Sequence, residues 1–356
     1  MQSELILENG QTLLTTKFLD QIQNGDGAYF GNGNNVLPYI PKHRIPHTIL
    51  VELGHKRPIA FNPLNTTDNH STVATRVIES IEAVYPSSIV TTRINLNLLM
   101  GCYALLAIPN TTLFQLPYLL KSQVYRSRII NQLKDTVHAD YWNDFEALTH
   151  KEKAERVESV QSRLLPLIAD LDIRRVISQS KTLPQSPILI VDVPDTDRAN
   201  VLAALIMSER KGYVFLERPL LHVGESTPVM SCQYLDQIPK PLMHKLLNTA
   251  MISTFKVGTV DAEILQPYFT EDNMHFNLTE LTQGTYYQAL HGVTTKLEFK
   301  AHGYKARTSM ARRIRDRSRA KYGTPEKVVD QRIEKFLGGL CRTPTNSKRS
   351  KRKSRT

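Results

Sequence analysis

Three stretches of this 356-residue chain hold residue types that could do chemistry. The first is ENGQT, where Gly10, Gln11 and Thr12 stand between a short apolar run (ELIL, 4–7) and an amphipathic one (TLLTTKFLDQIQ, 12–23). A glycine and a hydroxyl at a strand-to-helix turn are what a phosphate site uses. Backbone N–H groups at the helix start hold the anion, and the hydroxyl can hold Mg2+. The second is acidic: Glu217 closes the apolar run YVFLE, and Asp192, Asp195 and Asp197 crowd VDVPDTD. Such an aspartate cluster could bind a cation. The third is basic: Arg312, Arg313, Arg315, Arg317, Arg319 and Lys321 in ARRIRDRSRAK could neutralise the phosphates of a nucleic acid.

Each stretch also has a plainer reading. Gly10-Gln11-Thr12 can be an ordinary strand–helix turn with Thr12 at the helix start. Glu217 can simply end a strand, and the aspartates fit a polar loop with Asp197 near a helix N-terminus. On the basic segment, Arg312, Arg315 and Arg319 share one helical face, Arg313 and Arg317 lie four apart, and only Asp316 neutralises internally. The alternative there is a solvated or protein-facing helix. No aromatic interleaving accompanies the cations, so binding would be sequence-independent and salt-sensitive.

Charge is placed unevenly. Residues 300–356 hold 19 of the 45 Lys and Arg but 4 of the 34 Asp and Glu, leaving the preceding 299 residues slightly acidic. A polyanionic partner would therefore be engaged from the C-terminal end. The three cysteines are scattered, which argues against a disulfide framework or a structural zinc. No apolar run reaches the roughly 20 residues of a membrane span, and MQSELILENG lacks a secretory pattern. A cytoplasmic setting is expected.

The elements that must position these residues follow from periodicity. Strands are expected at 4–7, 47–53, 186–193, 211–217, 227–233 and 251–257, and helices at 12–23, 71–84, 95–108, 198–210 and 239–250. GDGAYFGNGNN (25–35) reads as a loop with a short AYF core, and 54–64 as a loop. From about Leu113 to Thr182 the pattern is entirely helical. Strand–helix alternation on both sides of that block predicts an α/β fold with a helical insertion. The expected division is 1–110 and 186–299 as two parts of one α/β domain, 111–185 as the insertion, 300–337 as a basic helical arm broken at Gly-Thr-Pro, and 338–356 as a disordered basic tail.

Taken in order, several stretches resemble the HerA/FtsK-type P-loop ATPases, in particular the coupling proteins of conjugation and type IV secretion and their DUF87-like relatives. They are ENGQT at the Walker A position, NGDGAYFGNGN, RPIAFNPL (57–64), Tyr125-Arg126, Tyr141-Trp142, PILIVDV, YVFLE at Walker B, SCQYLDQI, FKVGTVDAEIL (255–265) and the basic C-terminal segment. The resemblance spans residues 4 to 337. It implies a P-loop NTPase-like (RecA/FtsK-type) sheet flanked by helices, a nucleotide site at Gly10, Gln11, Thr12, Gln233 and Lys256, a catalytic Glu217, DNA as partner and a hexamer-like ring.

The departures from that pattern are chemical. The Walker A lysine is Gln11, and LENGQT is too short for the loop that wraps phosphates in GxxxxGK[ST]. The Walker B aspartate is Leu216, which leaves Glu217 without a metal partner. Lys256 stands where the family has an arginine, and Gly31 where it has an aspartate. The expectation is a degenerate coupling-protein-like ATPase, not hydrolysing and with no cofactor, that binds DNA or nucleoprotein as a structural or adaptor subunit of a mobile-element or phage machine. The alternatives are weak ATP/Mg2+ use in a motor with a composite or residual site, and a protein-only scaffold with a basic tail.

Overall fold

ELIL, GAYF, TILVE, ILIVD, YVFL, TPVMSC and MIST become seven parallel strands of one sheet in a computed structural model of the chain. It describes residues 2–10, 12–85, 91–219, 225–271, 274–290 and 292–340. The order opens with β1 (Glu4–Leu7), α1 (Thr12–Asn24), β2 (Gly27–Phe30), β3 (Thr48–Glu52), α2 (His70–Glu82) and α3 (Thr91–Leu106). An all-helical stretch follows: α4 (Leu116–Lys121), α5 (Gln123–Ile130), α6 (Thr136–Ala147), α7 (His150–Ala169) and α8 (Leu171–Ile177). The chain returns to the sheet with β4 (Ile188–Asp192), α9 (Asp197–Ser208), β5 (Tyr213–Leu216), β6 (Thr227–Cys232), α10 (Lys240–Thr249), β7 (Met251–Thr254) and α11 (Thr259–Leu265). A short ladder, β8 (Thr270–Glu271) and β9 (Met274–His275), precedes the hairpin β10 (Thr285–Leu290) and β11 (Val293–Glu298). Helices α12 (Thr308–Tyr322) and α13 (Glu326–Leu340) close the described chain.

The sheet order is β11-β10-β7-β1-β6-β5-β2-β4-β3. Strands from before and after the helical stretch interleave, and β6 separates β1 from β5. Parallel strands buried on both faces need apolar residues at every position rather than at alternate ones. β1 shows this: Leu5 and Leu7 enter the core under α2, α3 and the inserted helices, while Ile6 enters the opposite core with Leu14, Phe18 and Ile22 of α1. All four of its residues are buried.

The inserted helices are held by the residue pairs that carried the resemblance. Arg126 donates to Glu146 at 2.6 Å and lies 4.8 Å from the Phe145 ring centroid. Tyr141 donates to Asn97 at 2.6 Å beside the fully buried Trp142. In RPIAFNPL, Phe61 and Asn62 are buried, and the Asn62 amide donates to the Thr111 carbonyl at 2.8 Å. These motifs are scaffold.

Three expectations need correction. AYF is part of a central strand, β2, paired with β4 and β5. Its flanking glycines hid it. The hairpin β10–β11, which adds antiparallel strands beyond β7, was not expected. Its apolar signal is diluted by the exposed Thr295, Lys296 and Glu298 and the half-buried Thr285 and Gln288. Helix α13 also runs through Gly338-Gly339 to Leu340 instead of stopping there. The tail beyond Leu340 lies outside the described residues.

Candidate functional site

Parallel strands end on one side, so the loops after β1, β5, β6 and β7 share one edge of the sheet, where α/β folds place ligands. The loop after β1 turns at Gly10, whose φ of +114° is a conformation that favours glycine. α1 then starts at Thr12. Gln11 and the side chain of Thr12 lie outside the described residues.

The first N–H groups of α1 are occupied by a carboxylate. Glu8 is buried, and its side chain accepts from the Leu13 N–H at 2.8 Å, the Leu14 N–H at 3.3 Å and the Ser231 hydroxyl at 3.0 Å. Helix N-termini bind anions because unsatisfied N–H groups and the helix dipole point the same way. Here the chain supplies the anion itself. Sequence reasoning passed over Glu8; its signal was an acid ending a buried strand four residues before a helix.

Two cavities flank this loop. One of ≈ 800 Å³ is lined by Gly10, Gln233, Tyr234, Phe255 and Lys256, so three residues assigned to nucleotide by resemblance do converge. Gln233 donates to the Asn9 side chain at 3.1 Å, and Lys256 is exposed. The other, of ≈ 570 Å³, touches Glu8, Gly10, Glu217, Arg218 and Gln233. Cys232 lies between buried elements, and burial pushes its thiol up to about 12, so it stays protonated.

Glu217 borders the second cavity with its carboxylate already engaged. Its carboxylate accepts from the Tyr29 hydroxyl, from the Asn32 N–H at 2.6 Å and from the Asn35 amide at 2.6 Å. Burial and the adjacent carboxylate raise the Tyr29 phenol far above its usual range, which keeps it a donor. A Cβ on Gly31 would lie 2.2 Å from that carboxylate. Glu217 thus fills the space that a side chain on residue 31 would need. Leu216 beside it is fully buried in the apolar core.

The aspartate loop is likewise engaged. Asp192 accepts from the Gly33 N–H at 3.0 Å, Asp195 pairs with Arg218 at 2.7 Å, and Asp197 opens α9. Among the described residues no group of three or more His, Cys, Asp or Glu could hold a metal. No described helix is long and apolar enough to cross a membrane.

The basic residues lie on α12, along the edge strand β3 and away from β1 in the sheet order, with Arg315 donating to the Asn34 side chain, in the loop after β2, at 2.9 Å. Met310, Ala311 and Ile314 pack into the same core as α1, and the Ser318 hydroxyl accepts the Leu50 N–H at 3.1 Å. That contact covers the edge strand β3, whose open N–H groups would otherwise invite pairing. The cations then divide. Arg315 and Arg319 reach Glu52, at 2.8 and 2.9 Å, from one flank. Arg317, on the other, donates to the Thr48 carbonyl at 3.5 Å. Arg313 and Lys321 are exposed, and Arg312 is 3.7 Å from Asp316. The six residues therefore do not form one uniform face.

No protein-family profile matches the sequence, and no curated protein matches it. Solved structures do. The bacterial conjugative coupling protein TrwBdeltaN70, in a trigonal form with sulphate, superposes at a TM-score of 0.58 with 10% identity, over 86% of this chain and 88% of that one. The plasmid coupling protein TrwB in complex with the non-hydrolysable ATP analogue ADPNP gives 0.57 and 10%, over 86% and 87%. VirB4 of Thermoanaerobacter pseudethanolicus gives 0.52 and 12%, over 84% and 89%. At these identities the likeness is one of fold: the chain has the P-loop NTPase fold of the coupling-protein type, as its motif order implied.

Proposed function

We propose that this chain keeps the coupling-protein ATPase fold without hydrolysing ATP, and acts as a structural or adaptor subunit that binds DNA or nucleoprotein in a mobile-element or phage machine. The observation that carries the first half is Glu8. Its carboxylate takes the Leu13 and Leu14 N–H groups that a bound phosphate would need. A phosphate brought there would meet a like charge in a poorly screened setting, at a cost of several kcal/mol by an order-of-magnitude estimate. Gln11 supplies no compensating charge, Leu216 cannot hold a metal, and Glu217 already accepts three hydrogen bonds. The second half rests on the cations of residues 300–340 and on the fold shared with conjugative proteins.

One observation favours a second reading, a motor with a composite or residual site. Gly10, Gln233 and Lys256 still border a cavity of ≈ 800 Å³ next to the loop, and TrwB has been solved with ADPNP in that fold. Equilibrium binding of labelled ADPNP with Mg2+, together with phosphate release from ATP with and without DNA, separates the two. The pseudoenzyme reading expects neither binding nor turnover. Mg2+-dependent hydrolysis abolished by Glu217→Gln, without loss of folded protein, would overturn it. For nucleic acid, labelled duplexes of unrelated sequence should bind alike and weaken steeply with salt. Light scattering after size exclusion tests the ring that the resemblance implies.

A further inference from the structure

We infer that the flank of α12 carrying Arg313 and Arg317 forms, with the turn Lys42–His47, a single surface that grips the phosphodiester backbone of a nucleic acid. This rests on the nucleic-acid reading above and adds which face does the binding; the turn was not singled out by its sequence.

The turn and the helix are one packed unit. Ile45 is buried in the core that holds Met310, Ala311 and Ile314. The turn leads directly into Thr48, whose carbonyl accepts from Arg317 at 3.5 Å. Ile314 faces the core, so Arg313 and Arg317 project to the side where β3 begins, and Arg315 and Arg319 to the side where it ends at Glu52. Arg313 and Arg317 are four residues apart, about 6 Å along the axis. Lys42, His43 and His47 are exposed on the turn beside them.

Neutralisation separates this flank from its opposite. Glu52 accepts both Arg315 and Arg319, which spends those two cations internally. On the proposed flank Asp26, three-quarters exposed, lies 3.7 Å from Arg44 of the turn. Arg44 itself donates to the Gly25 carbonyl. Asp316 lies 3.7 Å from Arg312, on the outer side of the helix. Lys42, Arg313 and Arg317 therefore present charge with no carboxylate partner of their own among the contacts of the described residues. Fixed cations on a helix–turn surface suit phosphates, and the neighbouring Tyr39 and Tyr304 rings are packed against His302.

The test uses the full chain and a fluorescently labelled mixed-sequence DNA duplex, with anisotropy read from about 50 to 200 mM salt. Lys42→Glu/Arg313→Glu changes two exposed side chains, so the fold should survive; circular dichroism and thermal unfolding check this. Lys151→Glu/Lys245→Glu makes the same net-charge change on exposed residues of α7 and α10. The flank variant should bind at least tenfold more weakly at 100 mM salt, with the log–log salt slope reduced by about 2, while the control stays within about threefold of wild type, as long-range charge alone allows. Equal losses in both variants, or wild-type binding by the flank variant with loss on deleting residues 341–356, would overturn the surface but leave nucleic-acid binding standing. No binding by the unmodified chain at the lowest salt would overturn both.

Discussion

The Glu8 carboxylate accepts the Leu13 N–H at 2.8 Å, so the helix that would cradle a phosphate is closed by the strand that leads into it. Leu14 and Ser231 complete the contact at 3.3 and 3.0 Å. Replacing Glu8 by Ala leaves buried donors without partners and removes an anion from the positive end of α1. The expected loss is about 1–3 kcal/mol, read by chemical denaturation. Sulphate should then raise the midpoint of the variant more than that of wild type, because the vacated N–H groups can accept an anion. Equal sulphate responses would mean that Glu8 is not standing in for one.

Gly31 and Glu217 are matched in space. A Cβ on residue 31 would meet the carboxylate at 2.2 Å, where the Tyr29, Asn32 and Asn35 donors hold it. Gly31→Asp, which restores the residue type of the resembled ATPases, should therefore unfold or strongly destabilise the chain rather than revive it, by about 3 kcal/mol or more. Glu217→Ala should cost about 1–3 kcal/mol alone through its stranded donors. In that background Gly31→Asp should cost clearly less than in wild type. Additive effects in the double-mutant cycle would show that the two positions are not coupled.

Glu52 holds Arg315 and Arg319 between 2.8 and 2.9 Å, and all three side chains are mostly buried. Glu52→Gln should lower stability by about 1–2 kcal/mol, since the pairs are partly screened. DNA affinity should change by no more than about threefold, because Arg315 and Arg319 lie on the flank of α12 away from Arg313 and Arg317. A larger gain by anisotropy, with a steeper salt slope, would put phosphate contacts on the Glu52 flank as well.

How much of this was readable in the sequence depends on the kind of interaction. β3, β4 and β5 are nearly continuous apolar runs, and β1, β6 and β7 carry apolar cores of two or three residues, as strands buried on both faces require. They were legible. β2 was masked by Gly25, Gly27, Gly31 and Gly33, and β10–β11 by the polar side chains of its solvent face. At the site, the resemblance sets Gln11 and Leu216 against the lysine and aspartate of the ATPases, and that much was legible without any structure. What replaced them is not, because Glu8–Leu13 and Glu217–Tyr29 are decided by how a carboxylate packs after folding. The basic helix was legible as charge but not as a split face. Glu52 lies 263 residues from Arg315, and spacing within the helix cannot reveal such a partner.

Glu209 supplies a prediction in pH. It sits at the end of α9 beside Asp68, Arg76 and Arg210, around a cavity of ≈ 520 Å³. Burial raises its carboxyl from the ordinary 4.5 to about 7, with Arg76 only partly opposing the shift. Because the folded value is raised, the native state holds a proton that the unfolded chain has released. That contribution is complete below pH 4.5 and is lost as pH rises through about 7. The whole difference amounts to at most about 3 kcal/mol. Glu209→Gln keeps the neutral shape, so it should unfold at a similar denaturant concentration to wild type at pH 5 and at a higher one at pH 8. Matching urea midpoints for the two proteins at both pH values would show that Glu209 is ionised in the fold, and that the charges around it carry the burial.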